Sequence, residues 1–336
     1  MRAQIKEAAK LPAEKALSAL EQVLISRESE PTFRPIFIVA PARSGSTLIY
    51  QAMARYFELC YFSNSMGRFP ASPVCMARLL APLGGCNPPD GFRSRRGLIE
   101  GGRGPSDGTK IWARWFRHSP QYIPNGVLTP AQRREVRTTI ALFQEAFGVP
   151  FINKTQRNCG RILALAEIFP EAIFLRVHRD PFAMVRSRWQ IYQSRDDENR
   201  LWQSYRPSNS ETIITDDPIE HLCQQVLFTE AEIDRDRRKL GSRGFFDLSY
   251  EDFCRRPVDV LEEFANYYRG GAEEQQLRRR HDIPSSFESG NRKEIAPVER
   301  EAIRRGLSQS SEAVTAGMAG AERREGGYRA VEKREL

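Results

Sequence analysis

The stretch Pro35-Ile36-Phe37-Ile38-Val39-Ala40 is a short, uninterrupted apolar run that passes directly into Pro41-Ala42-Arg43-Ser44-Gly45-Ser46-Thr47. Apolar side chains at every position, rather than at every second one, suit a strand covered on both faces, as in a parallel sheet. The polar loop behind it opens a helical pattern over 47–58, which makes a strand, loop, helix unit. In such a unit the loop N–H groups and the positive end of the helix converge on one spot suited to a phosphate.

The rest of the chain continues in the same order. Thr129 as N-cap and Pro130 at the first helical position open a helix whose Val136, Ile140, Phe143 and Phe147 form one stripe, stopped by Gly148. A strand over 150–153, a helix over 161–168, a strand over 172–177 and a helix after Pro181 follow. Asp217 and Pro218 start a long helix toward Lys239, ahead of a strand over 245–249 and a helix over 257–268. This alternation predicts an α/β, P-loop-like three-layer fold with a central parallel sheet flanked by helices.

Residues 1–30 read as an amphipathic helix carrying Ile5, Leu11, Leu17, Leu20 and Leu24, and 31–310 as a single domain. Within it, 61–127 is expected to be a loop-rich insertion, with Gly and Pro clusters beside Arg93, Arg95, Arg96, Arg103, Lys110, Arg114 and Arg117. From about 270 the apolar period fades, and 311–336 is expected to be a charged, poorly ordered tail.

With 51 basic and 43 acidic residues the net charge is +8, which favours anionic partners. No nucleic-acid recognition module or aromatic-interleaved basic helix accompanies that charge, so nucleic acid is not expected as a partner. The six cysteines form no C-x-x-C pair and only four histidines are present, so neither a metal site nor a disulfide framework is expected. The first 30 residues are charged and lack a signal-peptide core, and no integral membrane segment is evident, which predicts a reducing, cytoplasmic setting.

Aligned on the nucleotide-binding P-loop, Ala40 takes the first glycine, Gly45 the second, Ser46 the lysine and Thr47 the final hydroxyl. The lost lysine removes the cation that neutralises terminal phosphates, which argues against ATP hydrolysis. The strand followed by Pro41-Ala42-Arg43-Ser44-Gly45-Ser46-Thr47-Leu48 resembles the 5′-phosphosulfate loop of sulfotransferases that use 3′-phosphoadenosine 5′-phosphosulfate (PAPS), in particular carbohydrate-type and bacterial members. Phe174 to Pro181, with Ser187 eight residues beyond Arg179, resembles that family's 3′-phosphate motif. Phe151 to Asn158 resembles the middle strand end beside the transferring group, and Leu248 to Phe253 the later strand-to-helix junction. Gly290-Asn291-Arg292-Lys293 resembles the family's late basic loop.

The resemblance implies a sulfuryl transfer from PAPS to a hydroxyl or amine of a carbohydrate or small-molecule acceptor, releasing 3′-phosphoadenosine 5′-phosphate (PAP) without a metal. It implies donor contacts from Arg43, Ser44, Gly45, Ser46, Thr47, Leu48, Arg179, Ser187, Arg292 and Lys293. Arg43 and Lys154 become the cations that steady the leaving oxygen. A carboxylate from the segment after the first loop would serve as general base: Asp107 first, then Glu100, with His178 and His118 behind.

Plainer readings stand beside these. Arg43 to Thr47 alone is also an ordinary polar turn and helix cap, and Asp180-Pro181 an ordinary helix start. Lys154 also reads as a surface strand-end lysine, Asp107 as a solvated loop residue, His178 as a packed histidine, and Trp112 and Trp115 as anchors of the loop to the core. As a whole, a P-loop kinase or nucleotide hydrolase, or an inert nucleotide-binding module of the same fold, remains the alternative.

Overall fold

The computed structural model describes residues 2–95, 97–116, 121–196, 200–202, 204–241, 244–270, 275–292, 294–311 and 314, with the helix path alone for 2–11 and 13. Arg96, Arg117, His118, Lys293, the side chain of Arg292 and most of the 311–336 segment therefore lie outside the described residues.

Helix α1 (Arg2–Ile25) precedes strand β1 (Ile36–Val39), whose four side chains are all buried. Complete burial of such side chains contributes roughly 1.5–3 kcal/mol each, which sets β1 at the centre of the molecule. Helix α2 (Ser46–Tyr56) follows the phosphate-type loop. The 61–127 region is more ordered than its composition suggests. It holds α3 (Pro73–Leu80), a small antiparallel hairpin of β2 (Ser94–Arg95) and β3 (Leu98–Ile99), and the single turn α4 (Thr109–Trp112). Proline at the first turn of α3 and Val74, Cys75 and Met76 on its buried side account for that helix.

Helix α5 (Pro130–Phe147) opens on a full capping box between Thr129 and Gln132 and ends at Gly148 in the left-handed region, as the sequence predicts. Then come β4 (Ile152–Lys154), α6 (Ile162–Ile168), β5 (Ile173–His178) and α7 (Pro181–Gln193). The chain continues through α8 (Pro218–Lys239), β6 (Phe245–Ser249), α9 (Tyr250–Arg255) and α10 (Pro257–Arg269). The main sheet has the order β4-β1-β5-β6 with every pairing parallel, and helices flank it.

Residues 297–311 are helical, although the sequence shows no apolar period there. Few side chains suffice to dock this segment: Ile303 is fully buried, Gly306 lies against Cys223 of α8, and Glu299 accepts hydrogen bonds from Trp189 Nε1 and Gln193 Nε2 of α7. Ala302 and Leu307 pack against the same cluster, so the helix is held by a small apolar contact with α7 and α8 together with polar contacts that periodicity does not register.

The buried face of α8 carries charge. Glu232 accepts from the Tyr205 hydroxyl and the Ser208 N–H (2.8 Å), while Arg235 pairs with Asp236 at 3.0 Å. Burial pushes the Glu232 carboxyl from its ordinary 4.5 up to about 7. A carboxyl raised on folding gives the native state more bound protons than the unfolded chain between those values, so stability falls as pH rises through that window. Glu232→Gln is expected to flatten the decline, by an amount on the order of 3 kcal/mol at full ionisation, in urea unfolding measured from pH 4.5 to pH 7.5.

Gly45 has φ +87°, and a Cβ there would stand 2.2 Å from the Tyr250 ring. Gly45→Ala therefore meets both a disfavoured backbone and a clash, and thermal unfolding should show a loss of about 2 kcal/mol or more.

Candidate active site

In a parallel sheet the carboxyl ends of all strands open on one edge, and the crevice there is where such folds bind ligands. Here β1 delivers the loop 41–45, β4 delivers Lys154, β5 delivers Arg179 and β6 delivers Tyr250. Helix α2 starts at Gly45 without a side-chain cap, and the Ser44 hydroxyl beneath it is buried with no hydrogen-bond partner. Open N–H groups and a free hydroxyl at one helix start are the makings of an anion cradle.

Arg43 adopts φ +72°, a conformation that costs a non-glycine residue about 1 kcal/mol or more. Two contacts hold it. Arg179 Nη1 donates to the Arg43 carbonyl at 2.6 Å, and Arg43 Nε donates to Ser187 Oγ at 3.0 Å. The first loop and the second motif are thereby fastened directly to one another. Arg179 also lies 4.3 Å from the centre of the Tyr250 ring and donates to Asn291 Oδ1 at 2.8 Å. Asn291 in turn donates to Glu251 at 2.7 Å, and Glu251 accepts from the Asp180 N–H at 3.1 Å. The turn Gly290–Arg292 is gripped from α7, where Arg186 donates to the carbonyls of Gly290 and Asn291.

Positive charge is concentrated here. Burial and then the neighbouring Arg179 lower the pKa of both Arg43 and Arg186, and burial and then Arg43 bring Arg188 down to about 10. Guanidinium groups that depress one another favour an anionic occupant, which relieves the repulsion and accepts their fork of donors.

On the other side of the loop, Lys154 is 3% exposed and its Nζ stands 3.2 Å from Asp107 Oδ1. The lysine is therefore not a surface residue, and the aspartate is not merely solvated. The Asp107 carbonyl accepts from Asn153 Nδ2 at 3.3 Å, and Asn153 Oδ1 accepts from Trp112 Nε1 at 3.1 Å. Tyr50 of α2 adds a hydrogen bond to the Ser106 carbonyl at 3.4 Å. Trp112 and Trp115 are buried, so they anchor this segment to the core.

Ser46 and Thr47 form the first turn of α2, and the Leu48 N–H is spent on the Gly45 carbonyl at 3.0 Å. Glu100 is exposed at the end of the β2–β3 hairpin and bonds to none of the other candidates. His178 is not packed: it is partly exposed and paired with Asp247 at 2.8 Å, with Arg237 on the same carboxylate. Arg292 is the last residue of the turn Gly290–Arg292. Tyr250, Glu251, Arg186 and Arg188 complete the constellation. Tyr250 and Glu251 lie within the motif from Leu248 to Phe253 and Arg186 and Arg188 flank Ser187, but the contacts that recruit them span long stretches of chain and leave no local signal.

No helix among the described residues is long and apolar enough to cross a membrane, and no cluster of potential metal ligands occurs among them. No curated protein sequence matches this chain significantly. Among solved structures it resembles sulfotransferase STF9 from Mycobacterium avium, at 17% identity and TM-score 0.48, covering 70% of this chain and 64% of that one. It also resembles sulfotransferase STF1 from Mycobacterium tuberculosis H37Rv, at 13% identity and TM-score 0.48, covering 77% of this chain and 74% of that one. A third is a sulfotransferase from Alicyclobacillus acidocaldarius, at 16% identity and TM-score 0.44, covering 84% and 95%. The chain thus spans just under two thirds of the Mycobacterium avium protein, and all three likenesses are too distant to assign it a substrate. The profile of the sulfotransferase family matches residues 35–268, well over half of the sequence and including all four strands of the main sheet, so the chain belongs to the sulfotransferase family.

Proposed function

We propose that this sulfotransferase takes its sulfuryl group from PAPS and passes it to a hydroxyl or amine of a carbohydrate or small-molecule acceptor. The observation that carries the donor reading is the junction of Arg43, Ser187 and Arg179, in which the loop at the end of β1 and the start of α7 make one cationic site. In this reading Arg179 and Ser187, with the Asn291 turn behind them, take the 3′-phosphate. Arg43 and the N–H groups at the start of α2 take the 5′-phosphosulfate. The six buried free thiols suit a reducing compartment such as the cytoplasm.

The Lys154–Asp107 pair supports the transfer step. Asp107 would remove the proton of the acceptor hydroxyl, whose oxygen then forms the new bond to sulfur. The bond from sulfur to the 5′-phosphate oxygen breaks, and that oxygen keeps the electron pair while Lys154 and Arg43 stabilise its charge. A sulfuryl group needs positioning and charge compensation more than covalent assistance, as in phosphoryl transfer.

Calorimetric titration of the purified protein with PAP, without metal, tests the donor. Binding that Arg179→Ala abolishes and that ATP does not match is expected, whereas preference for magnesium-ATP would favour a phosphotransferase instead.

Asp107→Asn is expected to lower kcat by roughly 10²–10⁴ with PAP affinity retained, as for loss of a general base. Lys154→Met should also lower kcat. If Asp107→Asn left kcat unchanged in a radiolabelled sulfate transfer assay, the base would have to be sought elsewhere.

A further inference from the structure

We infer that Arg161, stacked on Phe116 just beyond the end of β4, forms a subsite for an anionic group of the acceptor, a carboxylate or a sulfate or phosphate ester. The inference rests on the sulfuryl-transfer reading and extends it to the class of acceptor.

Among the described residues, buried arginines are answered by oxygen atoms, with this exception. Arg176 has Glu230 and Asp234, Arg235 has Asp236, Arg188 has the Gln225 amide oxygen, and Arg186 has two carbonyls. Arg161 is 2% exposed, its buried Nε has no hydrogen-bond partner, and no carboxylate among the described residues pairs with it. Its guanidinium lies over the face of Phe116, the carbon 4.5 Å from the ring centre, with the Tyr205 ring nearby. Cation–π attraction offsets only part of the cost of burying an unpaired charge. A chain that keeps such a group at this cost has a use for its charge.

The position gives that use a direction. Arg161 ends the short turn Gln156–Gly160 that follows β4 and is stitched beneath the phosphate-type loop. Cys159 Sγ donates to the Ala40 carbonyl at 3.2 Å, and Asn158 Nδ2 to the Ile38 carbonyl at 3.3 Å and to Asn153 Oδ1 at 3.4 Å. Phe116 packs on Trp112, which is bonded to the same Asn153, so the platform belongs to the Asp107-bearing segment. Gly160 is open enough to admit the Tyr205 hydroxyl, where a Cβ would come within 2.2 Å, and Tyr205 walls the subsite. The sheet order puts this group on the β4 side of the loop and Arg179 on the β5 side, which separates it from the donor motif. Arg157 on the same turn adds a second positive charge. Burial and then repulsion from Arg157 bring the Arg161 pKa down to about 9, the same crowding of like charges seen around Arg43.

Thermal unfolding of the full chain, saturated with PAP, in sodium sulfate or sodium acetate against sodium chloride at matched ionic strength tests the subsite. The wild type is expected to gain stability from the oxyanions, Arg161→Lys to keep part of the gain, and Arg161→Met to lose it. Arg161→Met should melt no lower than the wild type in chloride and should bind PAP with unchanged affinity, since an unpaired buried charge has been removed. An oxyanion effect equal in wild type and Arg161→Met would overturn the inference, as would Arg161→Met and Arg161→Lys both melting far below the wild type. Repeating the salt series without PAP separates the two proposals: failure of PAP to bind, with an Arg161-dependent oxyanion effect intact, removes the donor reading and not the subsite.

Discussion

The hydrogen bond from Arg179 to the Arg43 carbonyl joins the ends of β5 and β1, and much of the molecule is organised so that it can form. It requires Arg43 in the left-handed region, Gly45 bare enough to accept the Tyr250 ring, and Tyr250 at the start of α9 to carry the Arg179 guanidinium. Three strands of the sheet therefore contribute to one contact. Local strain at Arg43 is held by tertiary partners that come from distant parts of the chain, the usual arrangement where backbone strain persists at a site.

Charge is distributed by the same logic. Around α8 the buried Arg176 and Arg235 each have a carboxylate, and the cluster serves to pin the Tyr205 loop and the Tyr122 turn to the domain. At the carboxyl edge of the sheet, cations gather with few carboxylates among them. Asp107 faces Lys154 rather than the arginines, and Glu251 is engaged by Asn291 and the Asp180 N–H. Satisfied charge marks the scaffold and uncompensated charge marks the place where an anion is handled, a division that follows from the cost of burying either kind.

The central strands were legible because fully buried parallel strands leave short apolar runs, as at Ile36 to Val39, and the half-buried edge strand Phe245 to Ser249 also reads from the sequence as it stands in the fold. Helix α3 was hidden by the Gly and Pro clusters around it, and the helix at 297–311 by its charge, since Ala302, Ile303 and Leu307 are too few among charged neighbours to stand out as a stripe. The site was legible as motifs but not as pairings. Lys154 and Asp107 are 47 residues apart, and nothing local says that they meet. Nor can a sequence distinguish Arg176, which is doubly paired, from Arg161, which is not; that difference exists only once carboxylates from other elements have been brought up or left out.

Glu21 of α1 is completely buried, and its two carboxylate oxygens accept the N–H groups of Val74 and Cys75 at the start of α3, at 3.1 and 2.9 Å. Arg114, next to Trp115, reaches the same carboxylate at 3.5 Å. The first helix is thus a strut for the segment that presents Asp107 and Phe116, while the β1 loop and the β5 end stand without it. Losing that strut would uncouple the two sides of the crevice: the side that carries Arg43 and Arg179 would keep its shape, and the wall that carries Asp107 and Phe116 would lose its brace.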